Sequence, residues 1–149
     1  MLTFNRILFP TDFSDVSLHA CKKLLSLVTA GANIEFLHVI DFDNIYAVNA
    51  TMFTYYSDLE DLVQKNAKES LQEFTSKIQA PKDVKITTKI ERGNCARTIC
   101  EYAEKGFDLV ALGTHGRSGL KHVMMGSIAE RVVQSCNVPV LSLRNVQRE

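Results

Sequence analysis

The sequence carries no excess of charge of either sign. Lys and Arg together number 17, and so do Asp and Glu, which leaves a formal net charge of zero over 149 residues. This balance argues against a broad electrostatic surface for nucleic acid or for an anionic membrane, so we expect neither as a partner. A local anion site is compatible with it, because such a site needs only a few charges.

Long apolar runs are also missing. No stretch approaches the roughly 20 apolar residues that a helix needs to span a bilayer. The first residues, Met1 to Arg6, lack the basic region and apolar stretch of a secretory signal. These absences predict a cytoplasmic protein. Its length suits one domain over residues 1–149 with a core of its own.

The cysteines lack the spacing of a metal or redox motif. Cys21, Cys95, Cys100 and Cys136 form no C-x-x-C pair, and Cys95 and Cys100 lie five residues apart. We expect all of them to be small buried or half-buried apolar residues in a reducing compartment. The histidines assemble no metal site from helix spacing either.

What is present is an alternation of strand-like and helix-like apolar patterns. Helical periodicity begins at Ser14, recurs at about 57–78, follows Asn94 and returns at 127–136, whereas residues 41–54 are expected to form a loop. Short apolar runs predict strands at 6–10, 33–40, 84–90, 107–113 and 140–143. The alternation predicts a doubly wound parallel sheet with helices on both faces, in the order 2-1-3-4-5 or 3-2-1-4-5.

Two segments at the carboxyl ends of strands are candidates for ligand binding. Ligands of open parallel sheets collect there, where the winding reverses beside the first strand. In the order 3-2-1-4-5, strands one and four are neighbours, so Pro10-Thr11-Asp12 and Gly113-Thr-His-Gly116 would lie side by side. Asp12 has a simpler interpretation too, because Asp12 or Ser14 could cap the first helix.

The glycine loop continues to Gly126-Ser127, which opens the next helix. The unpaired N–H groups and positive dipole end of that helix suit a phosphate. Ser127 could cap the helix or donate its hydroxyl to a phosphate oxygen. The better-known fingerprints G-x-G-x-x-G and G-x-x-x-x-G-K-[ST] are absent, and taken alone the loop could equally be a tight turn with capping glycines.

The chain resembles the universal stress protein family throughout its length. The resemblance lies in Arg6-Ile-Leu-Phe-Pro-Thr-Asp-Phe-Ser14, in Leu37-His-Val-Ile-Asp41, and in Phe107-Asp-Leu-Val-Ala-Leu-Gly-Thr-His-Gly-Arg-Ser-Gly119. The spacing Gly113-x2-Gly116-x9-Gly126-Ser127 matches the ATP-binding branch of the family. The resemblance implies the order 3-2-1-4-5, a Rossmann-like fold related to the adenine nucleotide alpha hydrolases, and a homodimer that pairs the last strands, Val140 to Leu143.

The resemblance also implies roles for individual residues. Asp12 would bind the ribose hydroxyls, and the backbone of Val39 would meet the adenine edge. Pro10, Thr11 and Leu112 would shape the pocket, Gly113, His115, Gly116 and Arg117 would line the phosphate path, and Gly126, Ser127 and Ile128 would present amides to the phosphates. His38, inside an apolar strand, is expected to be a hydrogen-bonded core residue.

Three functions are consistent with these residues. The first is an ATP-binding regulator or sensor of a stress response, with AMP or ADP as alternative ligands and Mg²⁺ or Mn²⁺ accompanying a triphosphate. The second is a slow ATPase. Efficient turnover is not expected, because no second carboxylate clearly faces the phosphates. The third is a nucleotide-free dimeric interaction module.

Overall fold

A computed structural model describes residues 3–49, 56–115 and 125–144. Strands and helices alternate along the chain as the apolar patterns indicate, except that two helices lie between the second and third strands. Their bounds are β1 Arg6–Pro10, α1 Asp15–Leu25, β2 Asn33–Ile40, α2 Phe42–Asn49, α3 Tyr56–Ser76, β3 Lys85–Arg92, α4 Cys95–Ala103, β4 Leu109–Gly113, α5 Ser127–Ser135 and β5 Val140–Leu143.

The strands form one parallel sheet in the order β3-β2-β1-β4-β5. Each neighbouring pair runs in the same direction, with Pro10 opposite Leu37 across β1 and β2 and Gly113 opposite Leu143 across β4 and β5. This decides between the two predicted orders and confirms the predicted fold class. Since β1 is flanked by β2 and β4, the winding reverses beside it, and the carboxyl ends of β1 and β4 are neighbours.

The core has two layers, one on each face of the sheet. Ile7 and Phe9 pack with α1 and α3, whereas Leu8 packs with α4 and α5, and all three side chains are fully buried. A strand covered on both faces cannot alternate apolar with polar residues, which explains the continuous apolar run of β1.

The expectation of a loop over residues 41–54 is wrong for its first part, which forms α2. Asp41 begins this helix, because its carboxylate accepts from Asn44 N at 3.1 Å and its carbonyl accepts from Ile45 N at 3.1 Å. Phe42 is buried, and the Arg92 guanidinium lies 4.2 Å from the centre of its ring. A capping Asp followed by apolar or aromatic residues one, four and five positions later was the available signal, and the short length of the helix hid it.

Arg92 also fixes the start of α3. Its guanidinium contacts Glu60 Oε2 at 3.0 Å, and the Tyr46 hydroxyl donates to the same carboxylate. These hydrogen bonds, the Tyr46 bond first, hold the pKa of Glu60 below its ordinary value. The cluster therefore ties α2 and α3 to the end of β3.

The expectation that every cysteine is reduced is wrong for two of them. Cys100 on α4 and Cys136 after α5 form a disulfide, with their Cα atoms 4.8 Å apart. Their separation of 36 residues gave no signal, because the pairing arises only when α4 and α5 pack side by side on one face of the sheet. Cys21 is free and buried, and Cys95 is free and half-buried, as expected.

Candidate functional site

A cavity of about 350 Å³ lies at the carboxyl edge of the sheet, beside the reversal point. Gly116 and Arg117 lie outside the described residues. Every other predicted site residue lines this cavity: Pro10, Thr11, Asp12, Val39, Leu112, Gly113, His115, Gly126, Ser127 and Ile128.

The cavity has further lining residues that sequence reasoning missed. Asp41 and Asn44 come from the start of α2, the unpredicted helix, and Cys95 is the first residue of α4 after its cap Asn94. His38 was expected in the core. It has the expected hydrogen bond, from Nδ1 to the Thr11 carbonyl at 2.9 Å, yet it is half-buried and lines the cavity. The others are Ser17, Leu37, Ile99, Thr114 and Ala129.

One wall of the cavity is the turn between β1 and α1, residues 11–14, here called the Asp12 turn. The Thr11 hydroxyl is buried, lies 2.8 Å from Ser17 Oγ and accepts from Phe13 N at 3.0 Å. Ser14 caps α1 by accepting from Ser17 N at 3.1 Å. Asp12 instead accepts from Ser14 N at 3.1 Å. The cap of α1 is therefore Ser14, and the carboxylate of Asp12 stands outside the helix at the cavity.

The Asp12 turn contains an unusual backbone conformation at Phe13, whose φ is +66°. A left-handed conformation costs a residue with a Cβ roughly 1–2 kcal/mol, and Phe rarely adopts it. The Phe13 ring stacks on His38 with ring centres 4.3 Å apart. Packing and hydrogen bonds thus hold a turn that the local sequence disfavours.

The opposite wall, here called the α5 wall, consists of Thr114 and residues 126–129. Gly126 is the N-cap of α5 and makes no side-chain cap hydrogen bond. Ser127 is the first helical residue and is exposed, so the interpretation of Ser127 as the cap is wrong. Gly126 N donates to the Thr114 carbonyl at 2.6 Å, which fixes the helix end against β4.

The α5 wall offers backbone donors. In an α-helix the first amides have no intrahelical acceptor, and the first turn-closing bond described here is Glu130 N to the Gly126 carbonyl at 2.9 Å. The amides of Ser127, Ile128 and Ala129 precede it and belong to residues that line the cavity. Donors at the positive end of a helix dipole suit an anion.

Gly113 serves the packing of the sheet as well as the cavity. A Cβ at this position would meet Ala20 Cβ at 3.4 Å and the Val16 carbonyl oxygen at 3.7 Å. The missing side chain would therefore point at α1. Both distances are ordinary van der Waals contacts, so an alanine would fit here, whereas a side chain longer than a methyl group would run into α1.

The Asp12 side of the cavity is electrostatically negative. Burial, followed by the charges of Asp41 and Asp12, raises the pKa of the Cys95 thiol to about 11. Cys95 is therefore a neutral thiol at physiological pH.

Within ranges 3–49, 56–115 and 125–144, no group of three or more His, Cys, Asp or Glu side chains could hold a metal ion. In the same ranges no helix has both the length and the apolarity to cross a membrane.

Comparison with known proteins gives one consistent family. The model of the Universal stress protein family matches residues 3–144. Universal stress protein MJ0531 of Methanocaldococcus jannaschii is 32% identical over 148 residues, covering 98% of this chain and 85% of the relative. Universal stress protein YxiE of Bacillus subtilis is 31% identical over 147 residues, covering 95% of this chain and 99% of the relative.

Solved structures agree with the sequence relatives. The structure of MJ0577 from M. jannaschii is similar with a TM-score of 0.80 and 27% identity, covering 99% of this chain and all of that one. Universal stress protein UspA from Lactobacillus plantarum is similar with a TM-score of 0.68 and 26% identity, covering 97% and 100%. Because the family model and relatives above 30% identity extend over nearly the whole chain, the chain belongs to the universal stress protein family.

Proposed function

We propose that this protein binds ATP in the cavity and acts as a nucleotide-responsive regulator or sensor. The observation that carries the proposal is the arrangement of two unlike walls around one cavity. A carboxylate on the Asp12 turn and the first amides of α5 belong to the same lining. A volume of about 350 Å³ also lies within the range typical of small-molecule sites.

The nucleoside would occupy the side of the cavity formed by β1 and β2. Asp12 would accept from the ribose hydroxyls, and the backbone of Val39 would meet the adenine edge. Ile99 and Leu112 supply apolar surface for the base, since both line the cavity and belong to the buried layer under α4 and α5. Pro10 and Thr11 would close the pocket beside the ribose.

The phosphates would lie against the α5 wall. The amides of Ser127 and Ile128 and the exposed Ser127 hydroxyl would donate to phosphate oxygens, with Gly113 and His115 alongside. The expectation that the Gly126 amide also faces the phosphates is wrong, because that amide donates to the Thr114 carbonyl. We propose that Gly116 and Arg117 also line the path of the phosphates. Mg²⁺ or Mn²⁺ would bind through phosphate oxygens and water, because the described residues provide no metal-ligand cluster. AMP and ADP would bind in the same cavity in the same way, with fewer phosphate contacts.

One structure with the same fold is that of a universal stress protein in complex with cAMP, an adenine nucleotide. Its identity to this chain is 18% and its TM-score 0.59, so the likeness concerns the fold alone. The case for ATP here depends on this chain's own carboxylate, glycines and helix end.

The proposal includes a homodimer formed through β5. This strand is at the edge of the sheet, and Val140 and Leu141 are only half-buried. Val110 N donates to the Pro139 carbonyl and Thr114 N to the Leu143 carbonyl, so the alternation of the ladder turns the backbone groups of Ser142 outward. Ser142→Pro removes that outward donor and is expected to yield monomers by light scattering, with Ser142→Ala remaining dimeric. A dimeric Ser142→Pro protein would place the interface elsewhere.

We further propose that the protein acts in the cytoplasm as a binding protein. Among the described lining residues the carboxylates are Asp12 and Asp41, and both belong to the nucleoside side. Hydrolysis needs a positioned water and a stabilised leaving group, and the α5 wall supplies donors without a base. In the cytoplasm the disulfide would be exposed to reducing thiols.

Calorimetry with ATP tests the proposal. Wild-type protein is expected to bind ATP, and Asp12→Ala to bind it at least tenfold more weakly, about 1.4 kcal/mol. Asp15→Ala is the matched control, because Asp15 is an exposed carboxylate three residues further on in the first turn of α1 and does not line the cavity.

Absence of ATP and AMP binding up to millimolar concentrations would contradict the proposal and favour a nucleotide-free dimeric module. Phosphate release at stoichiometric protein concentration would identify a slow ATPase. A rate no faster than that of Asp12→Ala would exclude one.

A further inference from the structure

The Asp12 turn is shaped by a residue that the proposed nucleotide contacts do not include. Among the residues that the structure describes, Phe13 alone combines a side chain with a positive φ. Glycine would adopt this conformation freely, yet the chain has a large aromatic residue there. A disfavoured backbone of this kind persists only where its surroundings hold it, and such positions cluster at ligand sites.

Three contacts hold Phe13. Its ring stacks on His38 at 4.3 Å with an angle of 29° between the rings, and it lies 6.2 Å from the Phe74 ring on α3. Its N–H donates to Thr11 Oγ1 at 3.0 Å. The side chain is therefore bound to β2 and α3 while the backbone is bound to the end of β1.

His38 connects both sides of Asp12. Its Nδ1 lies 2.9 Å from the Thr11 carbonyl oxygen, and because a carbonyl only accepts, Nδ1 carries the hydrogen. One β2 side chain thus fixes the residue before Asp12 by a hydrogen bond and the residue after it by stacking. Thr11 N in turn donates to the Leu37 carbonyl at 2.9 Å. The Asp12 backbone is held on both sides.

We infer that Phe13 and His38 are positioning residues for Asp12, and that their stack sets the preference of the site for a nucleotide with intact ribose hydroxyls. The inference rests on the proposed function, in which Asp12 accepts from the ribose. A carboxylate selects for hydroxyls only when its direction is fixed, since a mobile one loses the advantage of preorganisation. If the stack only contributed packing, its removal would weaken all nucleotides alike.

The test compares ATP with 2′,3′-dideoxy-ATP, which lacks both ribose hydroxyls. By calorimetry, wild-type protein is expected to bind ATP at least tenfold more tightly than the dideoxy nucleotide. Phe13→Gly tolerates the positive φ but lacks the ring, so we expect the preference to fall to about twofold or less while affinity for dideoxy-ATP changes little. Asp12→Ala should lose the preference to the same extent.

Two further variants keep the test independent of folding defects. His38→Gln can still donate to the Thr11 carbonyl but removes the stack, and it is expected to reduce the preference at least threefold. Phe4→Ala is the matched control, because Phe4 is also half-buried, packs against the same core cluster as Phe13 and does not line the cavity. It should lower thermal stability and leave the preference intact.

The outcomes separate the inference from the proposed function. If Phe13→Gly and His38→Gln retain a tenfold preference while Asp12→Ala loses it, the inference is overturned and the ribose contact stands. If Asp12→Ala retains the preference, or wild-type protein binds neither nucleotide, the proposed ribose contact itself fails and the inference fails with it.

Discussion

The two walls of the cavity are built on different principles. The Asp12 turn presents a side chain, and its shape depends on hydrogen bonds and ring contacts between β1, α1 and β2. The α5 wall presents backbone donors whose direction follows from helix geometry, with a glycine at the cap and no side-chain cap bond. In the proposed binding mode, the first wall would select the nucleoside by its shape, and the second would attract the negative charge of the phosphates.

The walls also differ in covalent support. The disulfide between Cys100 and Cys136 closes a loop that contains the end of β4 and all of α5, whereas the Asp12 turn lies outside that loop. The α5 wall, which lacks side-chain anchoring at its cap, is thus the one that the disulfide restrains.

The largest expected effect comes from removing this disulfide. In the chain-entropy model a loop of this size stabilises the folded state by roughly 3–4 kcal/mol. The double variant Cys100→Ala/Cys136→Ala should therefore unfold at a clearly lower guanidinium concentration than the wild type. Reductant should lower the unfolding midpoint of the wild type and leave that of the double variant unchanged. Hydrogen exchange should accelerate more at residues 127–129 than at 13–17. If reductant leaves the unfolding midpoint of the wild type unchanged, the disulfide adds no stability, and the two walls do not differ in covalent support.

A negative charge on the α5 wall is expected to have the next largest effect. Ser127→Glu should weaken ATP about 100-fold, or ~2.7 kcal/mol, by repulsion of the phosphates, and should leave adenosine binding unchanged. Stability should not fall, because Glu in a first helical turn complements the dipole. Ser127→Ala, which retains the amides, should change affinity less than about threefold. Equal weakening of ATP and adenosine by Ser127→Glu would contradict the division of roles.

One substitution made on both walls compares their hydrogen bonds directly. Thr11 and Thr114 are both buried. Thr11→Val removes the partner of Phe13 N and of Ser17 Oγ and should cost about 2 kcal/mol of unfolding free energy. Thr114→Val removes the bond to His115 Nδ1 at 2.9 Å, where water can substitute, and should cost about 1 kcal/mol. Urea unfolding measures both, and the reverse ranking would show that the α5 wall carries the tighter network.

The smallest effect concerns Cys95, on the negative side of the cavity. Since its pKa is raised to about 11, only about one thiol in 1000 is ionised at pH 8. Alkylation by iodoacetamide, followed by mass spectrometry, should be slow at pH 8 and accelerate about tenfold per pH unit toward 10. Asp12→Ala should accelerate it slightly, because burial and Asp41 contribute more. Fast alkylation at pH 8 in native protein would contradict the raised pKa of the Cys95 thiol.

Sequence reasoning reached the sheet and most of the cavity because both depend on local patterns. Continuous apolar runs followed by Asp12 and by Gly113 identify the two strand ends, and topology brings them together. The same reasoning could not choose between Asp12 and Ser14 as cap, since both residue types suit the position. It missed α2, whose short apolar pattern resembles a loop, and the Cys100–Cys136 pair, which depends on helix packing. The left-handed Phe13 gave no signal, because ring contacts with His38 and Phe74, distant in the sequence, support it together with the local bond to Thr11 Oγ1.

The most direct measurement is a crystal structure of the protein grown with ATP and Mg²⁺. We predict ribose hydroxyls within hydrogen-bond distance of the Asp12 carboxylate and phosphate oxygens on the amides of Ser127 and Ile128, with adenine beside Val39. A nucleotide bound outside the cavity, or one inverted so that its phosphates face Asp12, would contradict it.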